Sequence, residues 1–531
     1  MASKYSDYDH ILGKNAIDLS PGAISSLRTQ IDAEIKELNN RLQYLLAVRN
    51  CLAPVHRLPH EILSKIFDLV RVGEDGRVLV KRILPASWVS QHWRDVALGN
   101  PFLWDHIDRS NCRWAIWCLI RSKNAPLFVY ISYEFTRTIS TTTMDTLLRE
   151  LPRIQELKMG GKDSEEGGRS WGLSHLNHTE YEAPKFTSLA SSTFTLLQTL
   201  RLTAHNTGDR FSSLEMPYLA HLKITSSEFT WNEFMLPSLK TLSIDHPRST
   251  ISPTNLLQLL SRMPLLEEIT LIRALSEDSE FSTEFLSIHC PRLRLITLFE
   301  YQANILVELA RNITIPPDAS LTMSTEISGN RVEEGLRLFF PIARQRFTSL
   351  SLDAVDISKS HDKFSLGFGQ REIDGVRGNT IIQATRQSEQ AYNLNNLVQV
   401  IRNFPLGGVG FLRLAGYWNL LGSGSFDDFS RLLGMMPNVE ELLLEDYAGL
   451  DLLRYLSNSP TTSLHPSLRM ITFRNIYDAF THYALTNAQI EGLVAWRKGT
   501  SIEMILKDPD PRLKDGRFKR LIEAAFDEVY Y

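Results

Sequence analysis

The sequence predicts an α+β chain: an N-terminal helical unit followed by an irregular α/β solenoid built from short repeats. Three observations carry that prediction. A heptad-spaced apolar run fills residues 24–50, aromatic and aliphatic residues crowd 53–110, and one hexamer recurs from about residue 150 onward. At 531 residues the chain is too long for a single closed core, whereas an elongated repeat has no such limit.

Composition narrows the function classes. Hydrophobic residues make up 43% and charged residues 22%, as in an ordinary folded protein. A net charge of −4 and a pI near 6.4 give no broad cationic surface for nucleic acid. No apolar run of roughly eighteen residues exists to span a membrane, and the opening "MASKYSDYDHILGKNAIDLS" has no apolar core of a secretory signal. Cys51, Cys112, Cys118 and Cys290 are too few and too scattered for a disulfide framework. The expectation is an intracellular chain, cytoplasmic or nuclear, that binds neither membrane nor nucleic acid.

Residues 1–23 read as a flexible N-terminus and 24–50 as an amphipathic helix. Ile24, Ile31, Leu38 and Leu45 recur every seven residues, and Ile35 and Leu42 lie four beyond Ile31 and Leu38. Glu34 and Arg41 stand where a second seam residue belongs, which favours a helix docked on its own chain over a homo-oligomeric coil.

Residues 53–110 read as a helical domain. Pro59 suits a first helical turn and Glu61 the positive end of the helix dipole. Ile62, Leu63, Ile66, Phe67 and Val70 then form an apolar face too wide for one neighbour to cover. A second block, "LPASWVSQHWRDVALGNPFLWDHI" (84–107), aligns Val89, Trp93, Val96 and Ala97 on one helical face, and Gly99 and Pro101 end it.

From about residue 150 an apolar-x-x-apolar-x-apolar hexamer recurs: "IQELKM" (154–159), "LQTLRL" (197–202), "LAHLKI" (219–224), "LKTLSI" (239–244), "LEEITL" (266–271) and "LRLITL" (293–298). "FTSLSL" (347–352), "VEELLL" (439–444) and "LRMITF" (468–473) continue it. Pro152, Pro217, Pro237, Pro264, Pro291, Pro437 and Pro466 each stand two residues before their hexamer, where a missing N–H and a fixed φ stop a helix and start an extended segment. Segments such as 254–263, 426–436 and 450–458 read as amphipathic helices between strands. This region, assigned to residues 125–505, resembles the leucine-rich repeat family.

That resemblance implies that the last two apolar residues of each hexamer face inward and that the intervening positions line a concave strand face. Gln198, Arg201, His221, Lys223, Thr241, Ser243, Thr270, Thr297 and Thr472 are thereby the candidate cargo-facing residues. The family's asparagine or cysteine after the strand is mostly missing, since residue 225 is Thr and residue 245 is Asp. Polar, glycine-bearing segments near 160–185 and 358–379 interrupt the repeat as loops or hairpins. Residues 510–531, with Phe518, Leu521, Ile522, Ala525, Phe526 and Val529 at helical spacing, read as a capping helix.

Taken in order, "LPHEILSKIFDLV … VSQHWRDVALGNPFLWDHI" resembles the F-box family, in particular the F-box-like proteins of mushroom-forming fungi. Leu58, Pro59, Glu61, Ile62 and Leu63 match the family's opening. Ile66 and Phe67, Trp93 and Arg94, and Pro101, Leu103 and Trp104 match its later signatures. Where the family often has cysteine and basic residues, this chain has Ser90, Gln91 and His92. The resemblance implies a Skp-family adaptor as partner, and through it a cullin–RING ubiquitin ligase. Its contact positions are Leu58, Pro59, Ile62, Leu63, Ile66 and Phe67, with Val89 and Trp93.

No phosphate-binding G-x-x-x-x-G-K-[ST] loop and no G-x-S-x-G nucleophile elbow occurs. His56 with His60, and His175 with His178, lack companions at metal-ligand spacing. The expectation is a non-enzymatic chain with no catalytic residue, metal or cofactor. It acts as the substrate receptor of a Skp–cullin–F-box ligase that holds a target protein of unknown identity, or as an interaction scaffold outside such a ligase.

Overall fold

The computed structural model describes residues 20–73, 78–107, 112–132, 146–147, 149–160, 194–203, 215–227, 236–276, 288–300, 302–316, 318–327, 339, 342, 353–359, 363–372, 375–386, 394–402, 404, 406–416, 418, 425–458, 464–475, 487–507 and 523–530. It divides into two units, Met1–Val129 and Tyr130–Tyr531. The predicted class is the one observed: a helical N-terminal unit, then a largely parallel strand repeat.

The first unit begins with α1 (Pro21–Cys51), whose N-cap Ser20 accepts the Ala23 N–H at 3.3 Å. None of its residues is buried. Ile24, Leu27 and Ile31 are half-buried, whereas Ile35, Leu38, Leu42 and Leu45 remain 45–55% exposed, so along that second half of the stripe the expected docking on its own chain is not found among the described residues. The seam is narrow, and Glu34 and Arg41 interrupt it. Next come α2 (His60–Arg71), α3 (Ile83–Ser87) and α4 (Gln91–Gly99). The short strand β1 (His106–Ile107), helix α5 (Cys112–Ser122) and strand β2 (Leu127–Ser132) follow, and β1 pairs β2 in parallel.

In the second unit, predicted hexamers become the strands β3 (Ile154–Gly160), β4 (Thr199–Thr203), β5 (His221–Thr225) and β6 (Thr241–Asp245). Helix α6 (Pro253–Ser261) leads to β7 (Glu268–Ile272). Two-residue strands β8 (Ile288–His289) and β10 (Ile313–Thr314) pair with each other, and between them lie β9 (Leu295–Glu300) and α7 (Ala303–Asn312). Each strand is in register with the next, so Leu157, Leu200, Leu222, Leu242, Ile269 and Ile296 form one column, all buried. That column is the core of this part.

The prolines acquire a second role. Hydroxyls of Thr195, Ser238 and Ser467 donate to the carbonyl oxygens of Pro152, Pro217 and Pro437 at 2.7–2.8 Å. Each bond ties a repeat to the one before it, at a turn where a proline cannot donate. At the other end of the strand, Ser226, His246, Arg273, Asp446 and Asn475 adopt positive φ of 45–58°. A left-handed residue there turns the chain out of the sheet although none is glycine.

In the middle of the repeat the parallel order is interrupted, and of the two readings offered for 358–379 the hairpin is the one observed. Strand β11 (Ser320–Ile327) pairs β9 on one side and β14 (Gly375–Arg386) on the other, both in parallel. Antiparallel pairing then joins β14 to β13 (Lys363–Glu372) and β13 to β12 (Ala354–Lys359). The segment 358–379 is thus a long hairpin built into the sheet. The hexamer at 347–352 lies outside the described residues, except that β12 starts just beyond it.

Parallel pairing resumes from β12 to β15 (Phe411–Gly416), β16 (Glu441–Glu445), β17 (Met470–Arg474) and β18 (Glu503–Lys507). The helices here are α8 (Leu394–Ile401), α9 (Ser425–Gly434), α10 (Tyr447–Asn458) and α11 (Asn487–Lys498). The expected C-terminal helix needs correction at its end. Residues 508–522 lie outside the described residues, but β19 (Glu528–Tyr530) pairs β18 in parallel. Val529 therefore sits in a strand beside β18, as a β-branched residue between polar neighbours readily does.

Helices α10 and α11 meet at Gly492, where an added Cβ would stand 2.1 Å from the Ser457 carbonyl oxygen. Gly492→Ala forces the two backbones apart. It is expected to cost about 1–3 kcal/mol, measured as a lower denaturant midpoint at unchanged slope.

Candidate functional site

The resemblance-derived contact residues divide by exposure. Helix α2 turns Leu63, Phe67 and Arg71 inward at i, i+4 and i+8, and the first two are fully buried. They hold the unit together and are not available to a partner, which corrects their place in the predicted face. Ile62 is 42% and Val89 48% exposed. Pro59 is exposed, while Leu58, Ile66 and Trp93 are half-buried. Leu69 and Val70, 74% and 43% exposed, extend the open stripe along the same side of α2 as Ile62.

Packing between α2 and α4 explains the half-buried set. The Phe67 and Trp93 rings meet at 5.3 Å, and the His92 ring lies 5.4 Å from His56 and 5.0 Å from His60. Nε1 of Trp93 and Nε2 of His56 and His92 are buried without a hydrogen-bond partner among the described residues. The sequence offered His56 and His60 as a pair, and the fold adds His92. Among the described residues no group of three His, Cys, Asp or Glu is placed to hold a metal. Ser90 has its own role: its hydroxyl accepts the Trp93 N–H at 3.2 Å as the N-cap of α4. Asn50 Nδ2 donates to the Val89 carbonyl at 3.3 Å, fixing the turn that presents Val89.

A buried ion pair locks the end of α2. Arg71 Nη1 donates to Asp105 Oδ1 at 2.6 Å and Nε to Asp68 Oδ1 at 2.6 Å, and His106 Nδ1 lies 2.5 Å from the same Asp105 oxygen. Trp104 is anchored beside it through Nε1 to the Ala97 carbonyl at 2.8 Å. Trp104 also lines an open cleft of about 520 Å³, together with Trp88, Trp117, Arg94, Arg113 and Arg121. The Arg121 guanidinium stacks over Trp117 at 3.9 Å and Trp104 at 5.1 Å.

The family model described as F-box-like matches residues 55–110. Residues 55–110 form an F-box-like domain. It contains α2, α3, α4, the Arg71–Asp105 pair and every predicted contact residue, whereas α1 and α5 lie outside it. Among solved structures the chain is similar to the leucine-rich repeat-containing protein LegL7 from Legionella pneumophila. The two are 15% identical, with 61% of this chain and 97% of that chain covered and a TM-score of 0.25. At that score, the strand pairings within this chain are what define its repeat. Comparison with the curated proteins finds no match. Among the described residues no helix is long and apolar enough to cross a membrane.

Beyond the F-box-like domain, the candidate cargo-facing residues fall into registered columns. Arg201, Lys223, Ser243, Thr270 and Thr297 stand opposite one another across successive strands. His221 and Thr241 form the adjacent column, joined by a 2.9 Å ring-nitrogen to hydroxyl bond. Gln198, exposed just before β4, accepts from Gln155 Nε2 at 3.0 Å. Thr472 is a correction. It is 9% exposed on β17, between Leu443 and Ile505, both also buried. There β16–β18 are buried on both sides of their middle residues, so this position is not open to a target.

The same stretch carries charges the hexamer pattern did not single out. Arg413 bridges Asp356 at 2.6 Å and Glu445 at 2.5 Å, tying β12, β15 and β16 together. Burial pushes the Asp356 carboxyl up from its ordinary value, opposed by Arg413. These partners are 57 and 32 residues apart in sequence, so only the fold brings them together.

Proposed function

We propose that the F-box-like domain docks a Skp-family adaptor and that the repeat presents a protein target for ubiquitin transfer by the assembled cullin–RING ligase. The observation that carries this is the exposed apolar stripe of Ile62 and Val70 on α2, with Pro59 just before that helix and Val89 beside it, within a domain of that family. Leu63 and Phe67 hold the helices beneath it. Such a receptor acts by holding two proteins near each other, so its own chain needs no nucleophile, metal or cofactor. The role requires a cytoplasmic or nuclear chain. The columns through Arg201 and Lys223 and through His221 and Thr241 are the proposed target-facing surface. A scaffold acting outside a ligase uses the same surfaces without a cullin.

Burying exposed aliphatic side chains is worth roughly 1.5–3 kcal/mol each, against an association cost of about 4–15 kcal/mol. Loss of two anchors is therefore decisive. The double substitution Ile62→Asp and Val89→Asp is expected to abolish co-purification of a Skp-family adaptor from the full chain while leaving its melting temperature within error. Retained capture by this variant refutes the assigned face. Adaptor capture by the wild-type chain without any cullin favours the scaffold.

A further inference from the structure

Helix α1 has 31 residues and no buried position. At about 1.5 Å per residue it runs well beyond one helical domain's width, and an isolated helix in water holds together poorly unless its apolar side is covered. Ile24, Ile31, Leu38 and Leu45 occupy one seam position of its heptads, and Leu27, Glu34, Arg41 and Val48 occupy the other. Ile35 and Leu42 widen the stripe and are 50% and 52% exposed.

The two charges choose the occupant and its direction. Beside an identical helix running parallel and in register, Glu34 would face Glu34 and Arg41 would face Arg41, both unfavourable at a seam. Reversing one helix exchanges these contacts. Glu34 and Arg41 flank Leu38 near the middle of α1, so each glutamate of an antiparallel pair comes within a turn of the other copy's arginine. The ends match as well, because Ile24 and Leu27 of one copy then meet Val48 and Leu45 of the other. A surface complementary to its own two-fold image is what a closed dimer requires, and opposed helix dipoles add to it.

We infer that α1 pairs antiparallel with α1 of a second copy of this chain, making the protein a dimer. The Glu34–Arg41 contacts set the orientation and the aliphatic ends supply the burial. This inference does not rest on the adaptor reading, and its measurements are separate from adaptor capture.

The test uses the full chain. Sedimentation at micromolar concentration is expected to give a dimer. Leu38→Glu with Leu45→Glu is expected to give a monomer at unchanged melting temperature. Glu34→Arg alone should weaken the dimer, and Glu34→Arg with Arg41→Glu should restore it. Orientation is read by cysteine chemistry. Cys51 is exposed at the C-terminal end of α1, and Gly22 at the other end has open space around an added Cβ. Mild oxidation should leave wild-type Cys51 unlinked and should link Gly22→Cys to Cys51 of the other copy, mapped by peptide mass spectrometry. A wild-type monomer overturns the proposal, and a Cys51–Cys51 crosslink overturns the antiparallel pairing.

Discussion

Arg71→Ala is expected to destabilise the F-box-like domain by about 3–5 kcal/mol, the cost of removing one partner from a buried ion pair. Arg71 is 8% and Asp105 4% exposed. Taking away the guanidinium leaves the Asp105 carboxylate inside the domain, where among the described residues His106 Nδ1 lies 2.5 Å from it. The loss should appear in denaturant unfolding followed by tryptophan fluorescence, because Trp104 packs next to Asp105. Replacing both partners together, Arg71→Met with Asp105→Leu, should recover most of the loss, since an apolar pair has no buried charge to satisfy. A single variant within 1 kcal/mol of wild type would show that the pair does not hold α2.

The second large effect concerns pH and Glu300. This residue ends β9, is 3% exposed, and its Oε1 accepts the Ala274 and Leu275 N–H groups at 2.7 and 3.0 Å. Burial pushes its carboxyl up from 4.5 to about 7, with the two N–H bonds and the nearby His246 and Arg273 opposing the rise. A raised carboxyl binds its proton more tightly in the folded chain than in the unfolded one. Its contribution to stability is therefore fully present below about pH 4.5 and declines as pH rises through about 7. At about 1.4 kcal/mol per pH unit, the decline reaches on the order of 3 kcal/mol. Glu300→Gln should remove this slope while keeping an acceptor for the two N–H groups. Glu300→Ala should remove the slope and cost about 1–3 kcal/mol more for each N–H left without a partner. The measurement is unfolding free energy at several pH values, taken as wild type minus variant. An equal slope in wild type and Glu300→Gln would refute the assignment.

The sequence made the repeat legible where each unit carries all three apolar residues, as in β4 to β7. It hid β11, because Asp318 stands where the first apolar residue belongs, although Pro316 keeps the usual proline offset. It passed over β15 although "VGFLRL" (409–414) fits the hexamer, with Gly407 where seven of the nine recognised units carry a proline. The strands β13 and β14 alternate with glycine and polar residues, so in sequence they read as either loops or small hairpins, and pairing with β11 and β12 on either side supplies the order.

At the candidate site the limit was different. A wide apolar face on α2 says that two surfaces are covered but not which residue belongs to which. Leu63 and Phe67 proved internal, whereas Ile62 and Val89 stay open. Arg71 drew no notice because its partner Asp105 lies 34 residues away, and a charged helix end ordinarily faces water. Thr472 was assigned outward by its hexamer position alone, and neighbouring strands bury it.

The hairpin has a consequence for how the repeat folds. Neighbouring parallel strands such as β4 and β5 are joined only after some twenty residues of chain have closed into a loop. β13 and β14 are separated by two residues, and such local antiparallel ribbons form within microseconds. Pairing is therefore expected to start in the middle of the chain and to spread outward in both directions, through β11 toward the N-terminal strands and through β12 toward the C-terminal ones. The segment that breaks the sequence period is thus the one expected to seed the sheet.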